Sequence, residues 1–257
     1  MGSSLLYETR EILVQLGFLS LVLALSECGF RMGRRRQTKI SGETRSQIST
    51  VEAALLGVLG LLLGFTIAMS VSRFEQRQQD VLEEANAIGT AYLRTQILPG
   101  DQGNNIRQAL HEYLNVRVQF GRAGTDAKRI DALRSEGARL QKQFWEEAAA
   151  YAQKEPLRSS LLTQSLNQVI DLEAARWKGF NDHVPASVVY ADAMVGLLAA
   201  MLVGYTYGLS GRRNLVSMCT LALAITIVLS VIIDLDRPRS GFIHVSQQPM
   251  TDLQKSF

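Results

Sequence analysis

The chain has little of what most catalytic, secreted or nucleic-acid-binding proteins depend on. Its two cysteines, Cys28 and Cys219, both sit in apolar runs. Neither their number nor their spacing suits a disulfide framework or a metal site, so they read as small core or lipid-facing residues. The three histidines, His111, His183 and His244, are far apart, and none has a metal-ligand or nucleophile partner at motif spacing. No strand pattern occurs, and a glycine-rich phosphate loop needs a strand beside it. These absences leave no catalytic residue, no metal ligand and no cofactor to assign, and the chain is not read as an enzyme. A net charge of +3 over 257 residues, with no basic helix carrying interleaved aromatics, argues against nucleic acid as a partner.

What the chain has in quantity is apolar length. Hydrophobic residues make up 47% of it, and mean hydropathy is just above zero, at +0.05. That is high for a soluble domain and low for transmembrane helices alone, so a membrane protein with a sizeable polar insert is expected. Crossing a bilayer core of about 30 Å takes about twenty helical residues. Four segments qualify, at roughly 11–32, 52–72, 187–209 and 215–234. The runs LLGVLGLLLGFTIAMSVS and LVSMCTLALAITIVLSVII, inside the second and fourth, carry no charge, whereas the first segment holds Gln15 and Glu27. The ALS tripeptide at 24–26 has the form of a signal-peptidase site. Glu8, Arg10 and Glu11 before the apolar run do not make a basic leading region, so an uncleaved helix is expected.

Between the second and third spans lies a polar region, 73–184, in which acidic and basic residues nearly balance. Pro99-Gly100, the stretch from Gly121 to Gly124, and Pro156 divide it into four helix-length pieces. Phe74, Val81, Ala85, Ile88 and Tyr92 recur at helical steps in the first piece. Ile130, Leu133, Gly137, Leu140, Phe144, Ala148 and Tyr151 do so in the third, and Leu162, Leu166, Val169 and Ile170 in the fourth. The second piece, with Ile106, Leu110, Tyr113 and Phe120, is the least regular. An antiparallel helical bundle is the expected packing. No stop signal separates Ser72 from Arg73, so the second span is expected to run on into the bundle as one long helix. The fold class is therefore all-α, with transmembrane helices one and two in 1–72, a helical-bundle insert in 73–184, helices three and four in 185–236, and a C-terminal tail in 237–257.

Four spans with one large insert place both termini and the bundle on one side of the membrane and the two short loops on the other. The first loop holds Arg34, Arg35, Arg36, Lys39 and Arg45 against Glu43, and the second holds Arg212 and Arg213. Positive charge favours the cytoplasm, so the short loops are expected there and the bundle and termini in the periplasm.

VLEEANAIGTAYLR (81–94), DLDRPRSGFI (234–243) and VSQQPM (245–250), set around four spans in this order, resemble the bestrophin-like family of bacterial membrane proteins. The likeness covers nearly the whole chain. It implies a multi-pass protein of the bacterial inner membrane and, through the more distant bestrophin channels, a homo-oligomer that passes small inorganic ions across the lipid bilayer. By that analogy the oligomer is a pentamer and the second span lines the pore. The bestrophin insert is cytosolic, opposite to the orientation the loop charges give here, and the acidic run of the bestrophin calcium clasp is missing from this sequence.

Thr66, Ser70, Arg73 and Arg77 fall on one face of the second helix and are the pore-lining candidates. Serine and threonine often just bond their own helix carbonyls, the reading that competes with pore lining. Gly60 with Gly64, and Gly204 with Gly208, form GxxxG pairs that let helix backbones approach, within a protomer or between subunits. Gly89 marks another close approach, and Asn86 is a register or ligand residue. Spans two and four end on the same side, so Asp192, Asp234, Asp236 and Arg237 should gather near the membrane boundary with Arg73 and Arg77. They read as an ion-paired collar or, in a ring of subunits, an ion site. Asp234 is expected to pair with Arg73 or Arg237, and Pro238 to stop the helix just beyond. The alternative function is a membrane-anchored helical-bundle sensor or scaffold without conduction. Neither short loop has room for an output module, which favours the channel.

Overall fold

The computed structural model describes residues 2–98, 101–237, 239 and 241–257, and side chains from Ile12 onward apart from Gln102. Pro99, Gly100 and Pro238, three of the expected break points, lie outside the described residues. The rest forms eight helices and, among the described residues, no strand: α1 (Gly2–Arg36), α2 (Gly42–Thr95), α3 (Asp101–Arg122), α4 (Ala127–Lys154), α5 (Pro156–Asn181), α6 (Ala186–Ser210), α7 (Leu215–Asp236) and α8 (Gln248–Ser256). The second span and the start of the insert are one continuous helix, α2, because nothing between Ser72 and Arg73 breaks the backbone pattern. Two compact units result, Met1–Ser72 with His183–Arg237, and Arg73–Asp182 with Pro238–Phe257.

The first unit carries the apolar lengths. Helical stretches long and apolar enough to cross a membrane lie in Ile12–Arg36, Gly42–Thr95, Pro156–Ser210 and Leu215–Asp236. The apolar part of α2 ends near Ser72, and that of the α5–α6 stretch begins past Val184. Leu59 and Leu63 of α2 pack with Ala199 of α6 and Ile225, Leu229 and Ile232 of α7, while Val22 of α1 meets Ala200 and Ala222. Between 17% and 33% of each apolar window is buried inside the protomer, so most of this apolar surface faces outward, toward lipid or other copies.

Helices α1 and α6 meet backbone to backbone. A Cβ added at Gly29 would strike the Met201 carbonyl, and one at Gly33 the Tyr205 carbonyl. In return, a Cβ at Gly204 would strike the Ser26 carbonyl and one at Gly208 the Phe30 carbonyl. Two glycines from each helix thus interlock, giving dispersion contact that side chains would prevent. At the far end Gly211 closes α6 in the left-handed region, at φ +69°, and Asn214 caps α7 by accepting from the Ser217 amide at 3.1 Å. Arg213 crosses from this turn to Glu27 at 2.7 Å and lies over the Phe30 ring.

The second unit is a helical bundle built from the C-terminal half of α2, α3, α4, α5 and α8. Asp126 caps α4 by accepting from the Arg129 amide at 3.2 Å, and Pro156 starts α5, where its missing N–H costs nothing. The stripes on α2, α4 and α5 meet in one core: Val81, Ala85 and Ile88, then Leu140, Phe144, Ala148 and Tyr151, then Leu162, Leu166 and Val169. α3 looks least regular in sequence because it is enclosed on several sides: Ile106, Leu110, Tyr113, Leu114, Arg117, Val118 and Phe120 are all buried.

The C-terminal segment packs into this unit. Met250 is fully buried, Leu253 packs beside it, and Phe257 stacks on Tyr92 with ring centroids 3.8 Å apart. Gly89 allows this, since a Cβ there would stand 3.1 Å from Leu253 Cδ1.

Candidate functional site

In the first unit, Thr66 and Ser70 are buried among the protomer's own helices, and each hydroxyl donates to a carbonyl one turn back, Leu62 O and Thr66 O, both at 3.0 Å. In the second unit, Arg73 pairs with Asp182 at 2.6 Å. Arg77, also buried, donates from Nε to Gly179 O at 2.9 Å and from Nη2 to Asp182 O at 2.7 Å. These carbonyls are the unsatisfied end of α5, where positive charge is favoured, so Arg77 caps that helix. The four residues do share a stripe on α2, and it is the inward one.

The outward side of α2 is apolar. Val58, Leu61, Phe65 and Met69 are exposed, Phe65 by 66%. Gly57, Gly60 and Gly64 have no neighbouring atom within 4 Å of a built Cβ. At 100° per residue the glycines fall on one edge of the helix and the bulky residues on the adjacent edge. The two expected GxxxG pairs therefore differ: Gly204 and Gly208 are occupied by α1, and Gly60 and Gly64 face open space. Asn86 is exposed, on a side of α2 turned away from the bundle core.

The carboxylates divide as well. Asp236, at the last turn of α7, accepts the Val184 amide at 2.9 Å and lies 3.2 Å from His183 Nδ1, which ties the end of α7 to the start of α6. Asp234 and Arg237 occupy the same helix end, where the Arg237 amide donates to Asp234 O at 3.2 Å. Arg73, one of the partners expected for Asp234, is taken by Asp182. Asp192 is fully buried, and neither carboxylate oxygen accepts a hydrogen bond among the described residues.

The most concentrated charge lies in the bundle core. Glu84 is fully buried and accepts from Arg117 Nε and Nη2 and, at 2.6 Å, from Arg176 Nη1. Glu173 stands 3.5 Å from Arg117 Nη1, and Tyr113, held at its hydroxyl by Gln141 at 3.1 Å, leans toward Glu84. Burial alone would push the Glu84 carboxyl up, but the charges and hydrogen bonds of Arg117 and Arg176 outweigh it and hold it below the usual glutamate value. Burial likewise pushes the Tyr113 phenol up. A carboxylate that accepts three guanidinium hydrogen bonds, from α3 and α5, fixes α2, α3 and α5 to one another.

A family model described as Bestrophin-like domain matches residues 18–250. The chain belongs to the bestrophin-like family. Its fold matches crystal structures of a bacterial bestrophin homologue from Klebsiella pneumoniae. One, of a tryptophan-to-alanine variant, gives a TM-score of 0.68 at 14% identity and covers 93% of this chain and 98% of that one. Another, phased on zinc, gives 0.66 at 14% identity and covers 94% of each chain. At this identity the likeness establishes the fold. No curated protein matches the chain.

Two features of this bestrophin-like chain escaped the sequence reading. Gly29 and Gly33 had a visible signal, since GFRMG repeats the GxxxG spacing found on α6. The buried Glu84 cluster had none: Glu84 stands within the EANAIGTAYLR motif, but its partners are 33 and 92 residues away and carry no local mark.

Proposed function

We propose that the chain assembles into a ring in the bacterial inner membrane and conducts small inorganic ions along an axis beside α2. The observation that carries this reading is the outward face of α2, bulky and apolar on one edge and glycine-lined on the next, which the protomer leaves uncovered. Four spans enclose no hydrated path, so conduction needs several copies around an axis, and five is the number the bestrophin analogy supports. The glycine edge suits close approach of a neighbouring copy. Leu61, Phe65 and Met69 then converge on the axis as an apolar constriction, a kind that gates by dewetting. The Thr66 to Arg77 stripe is given over to the protomer interior in this reading, and Asp236 at the end of α7 anchors helix ends rather than lining the path.

Reconstitution into liposomes with an ion-flux readout tests it. Wild type should leak ions above empty liposomes, and Phe65→Ala should raise the flux several-fold while leaving the oligomer intact. A protein that stays monomeric in mild detergent and in nanodiscs, or that gives no flux in either form, overturns the proposal.

The basic loops, with Arg34, Arg35, Arg36 and Lys39 in one and Arg212 and Arg213 in the other, support a cytoplasmic placement for them and a periplasmic bundle. Leu157 is 95% exposed in the bundle and reports on this. With Cys28 and Cys219 replaced by serine, Leu157→Cys should react with a membrane-impermeant maleimide in intact cells. Protection until lysis would reverse the orientation.

A further inference from the structure

The RPRSGF and VSQQPM stretches have no part in the conduction reading. In the second unit Arg239, His244, Val245 and Gln247 form one wall of a cavity of about 250 Å³ that Arg77, Asp80 and Arg176 also line. At about 30 Å³ per molecule of liquid water, the space suits a phosphate or a small dicarboxylate.

Charge in this cavity is lopsided. Three guanidinium groups line it, against the single carboxylate of Asp80, whose Oδ1 already accepts from Gln76 at 2.9 Å. Glu84 lies behind the wall and is shared by Arg117 and Arg176. Glu173 is committed to Arg117. Arg239 has no carboxylate partner among the described residues. It donates to Gly124 O at 3.2 Å and lies over the Phe120 and Phe180 rings at 4.2 and 4.4 Å, which position the guanidinium without neutralising it. Burial first, then Arg176 and Arg117, push it down to about 10. Arg176 reaches from Glu84 to Gln247 Oε1, so it too presents an edge on the same side. Guanidinium forks aimed into a partly dry space match oxyanions, which accept two parallel hydrogen bonds, better than they match halides.

We propose that this cavity binds a small oxyanion, a carboxylate or a phosphate, held by Arg239 and Arg176 with Arg77 at its edge and roofed by Phe120 and Phe180. An occupant bridges α3, α5 and the segment leading to α8, so its binding stabilises the docked C-terminus. The site does not depend on conduction and is tested without it.

The full chain in detergent is heated at constant ionic strength in chloride, then with inorganic phosphate or succinate replacing part of the chloride. The expected result is a saturable rise of several degrees in the unfolding midpoint with at least one of the two oxyanions. Which one acts tells whether the natural ligand carries phosphate or carboxylate. Arg239→Gln should abolish the rise, Arg239→Lys should weaken apparent affinity at least tenfold, and Arg158→Gln on the exposed surface should change nothing. No saturable response of wild type to either oxyanion overturns the proposal, as does an equal response in Arg239→Gln. Should Arg239→Gln fail to fold, the Arg239→Lys titration and calorimetry on wild type decide in the same way.

Discussion

Glu84→Gln is expected to lower the thermal unfolding midpoint in detergent by roughly 6–20 °C, the equivalent of about 3–5 kcal/mol in a chain of this size. The substitution keeps the shape and removes one charge. Arg117 and Arg176 then remain buried side by side, with Glu173, itself partly exposed, as the remaining carboxylate near Arg117. An uncompensated buried charge costs far more than the net worth of the pair it came from. The Glu136–Arg139 pair on α4 provides the contrast: at 2.6 Å it is just as short, but it is exposed, and Glu136→Gln should leave the midpoint where it was. Equal effects at the two sites would show that the buried cluster is not a structural anchor.

The same carboxylate makes stability depend on pH. Its folded value lies below the ordinary glutamate value of 4.5, so the unfolded chain takes up the proton first as pH falls. The contribution is therefore fully present above 4.5 and is lost as pH drops through the lower folded value. The difference in midpoint between wild type and Glu84→Gln should be constant from neutral pH to about 5 and shrink below 4.5. A gap that grew on acidification would contradict the paired, ionised state.

Gly204→Leu is the second large effect. Any side chain at Gly204 meets the Ser26 carbonyl and the backbone around it, and Gly208 meets Phe30 in the same way. A flexible side chain could swing aside, but here α1 itself must move, so the cost should reach or exceed the roughly 1–3 kcal/mol typical of overpacking. The expected outcome is a folded yield far below wild type, and a clear loss of midpoint even for Gly204→Ala. A Cβ at Gly60 meets no neighbouring atom within 4 Å, so Gly60→Leu starts in open space. It should leave the protomer's folding intact and, if α2 faces a neighbouring copy, weaken the oligomer on size exclusion. Matching behaviour of Gly60→Leu and Gly204→Leu would erase the distinction between the two glycine pairs.

How much of this was legible beforehand follows from the range over which each signal acts. Apolar length and helical period are local, and they determined the all-α class, the four spans, the unbroken passage of α2 beyond Ser72 and the helical insert, because backbone hydrogen bonding in lipid leaves a twenty-residue apolar run little choice but helix. The motif words likewise carried the family. Period also determined that Thr66, Ser70, Arg73 and Arg77 share a face, but a period has no direction. Only packing against the other helices decided that this face turns inward and that Leu61 and Phe65 turn out. The same limit explains Gly60 and Gly204, which are identical in spacing and opposite in surroundings. Long-range pairing decided the rest. Glu84 meets arginines 33 and 92 residues away, and Arg239 comes to Gly124 across 115 residues. Charge neutralisation depends on distance in space, and that distance exists only once the bundle has closed.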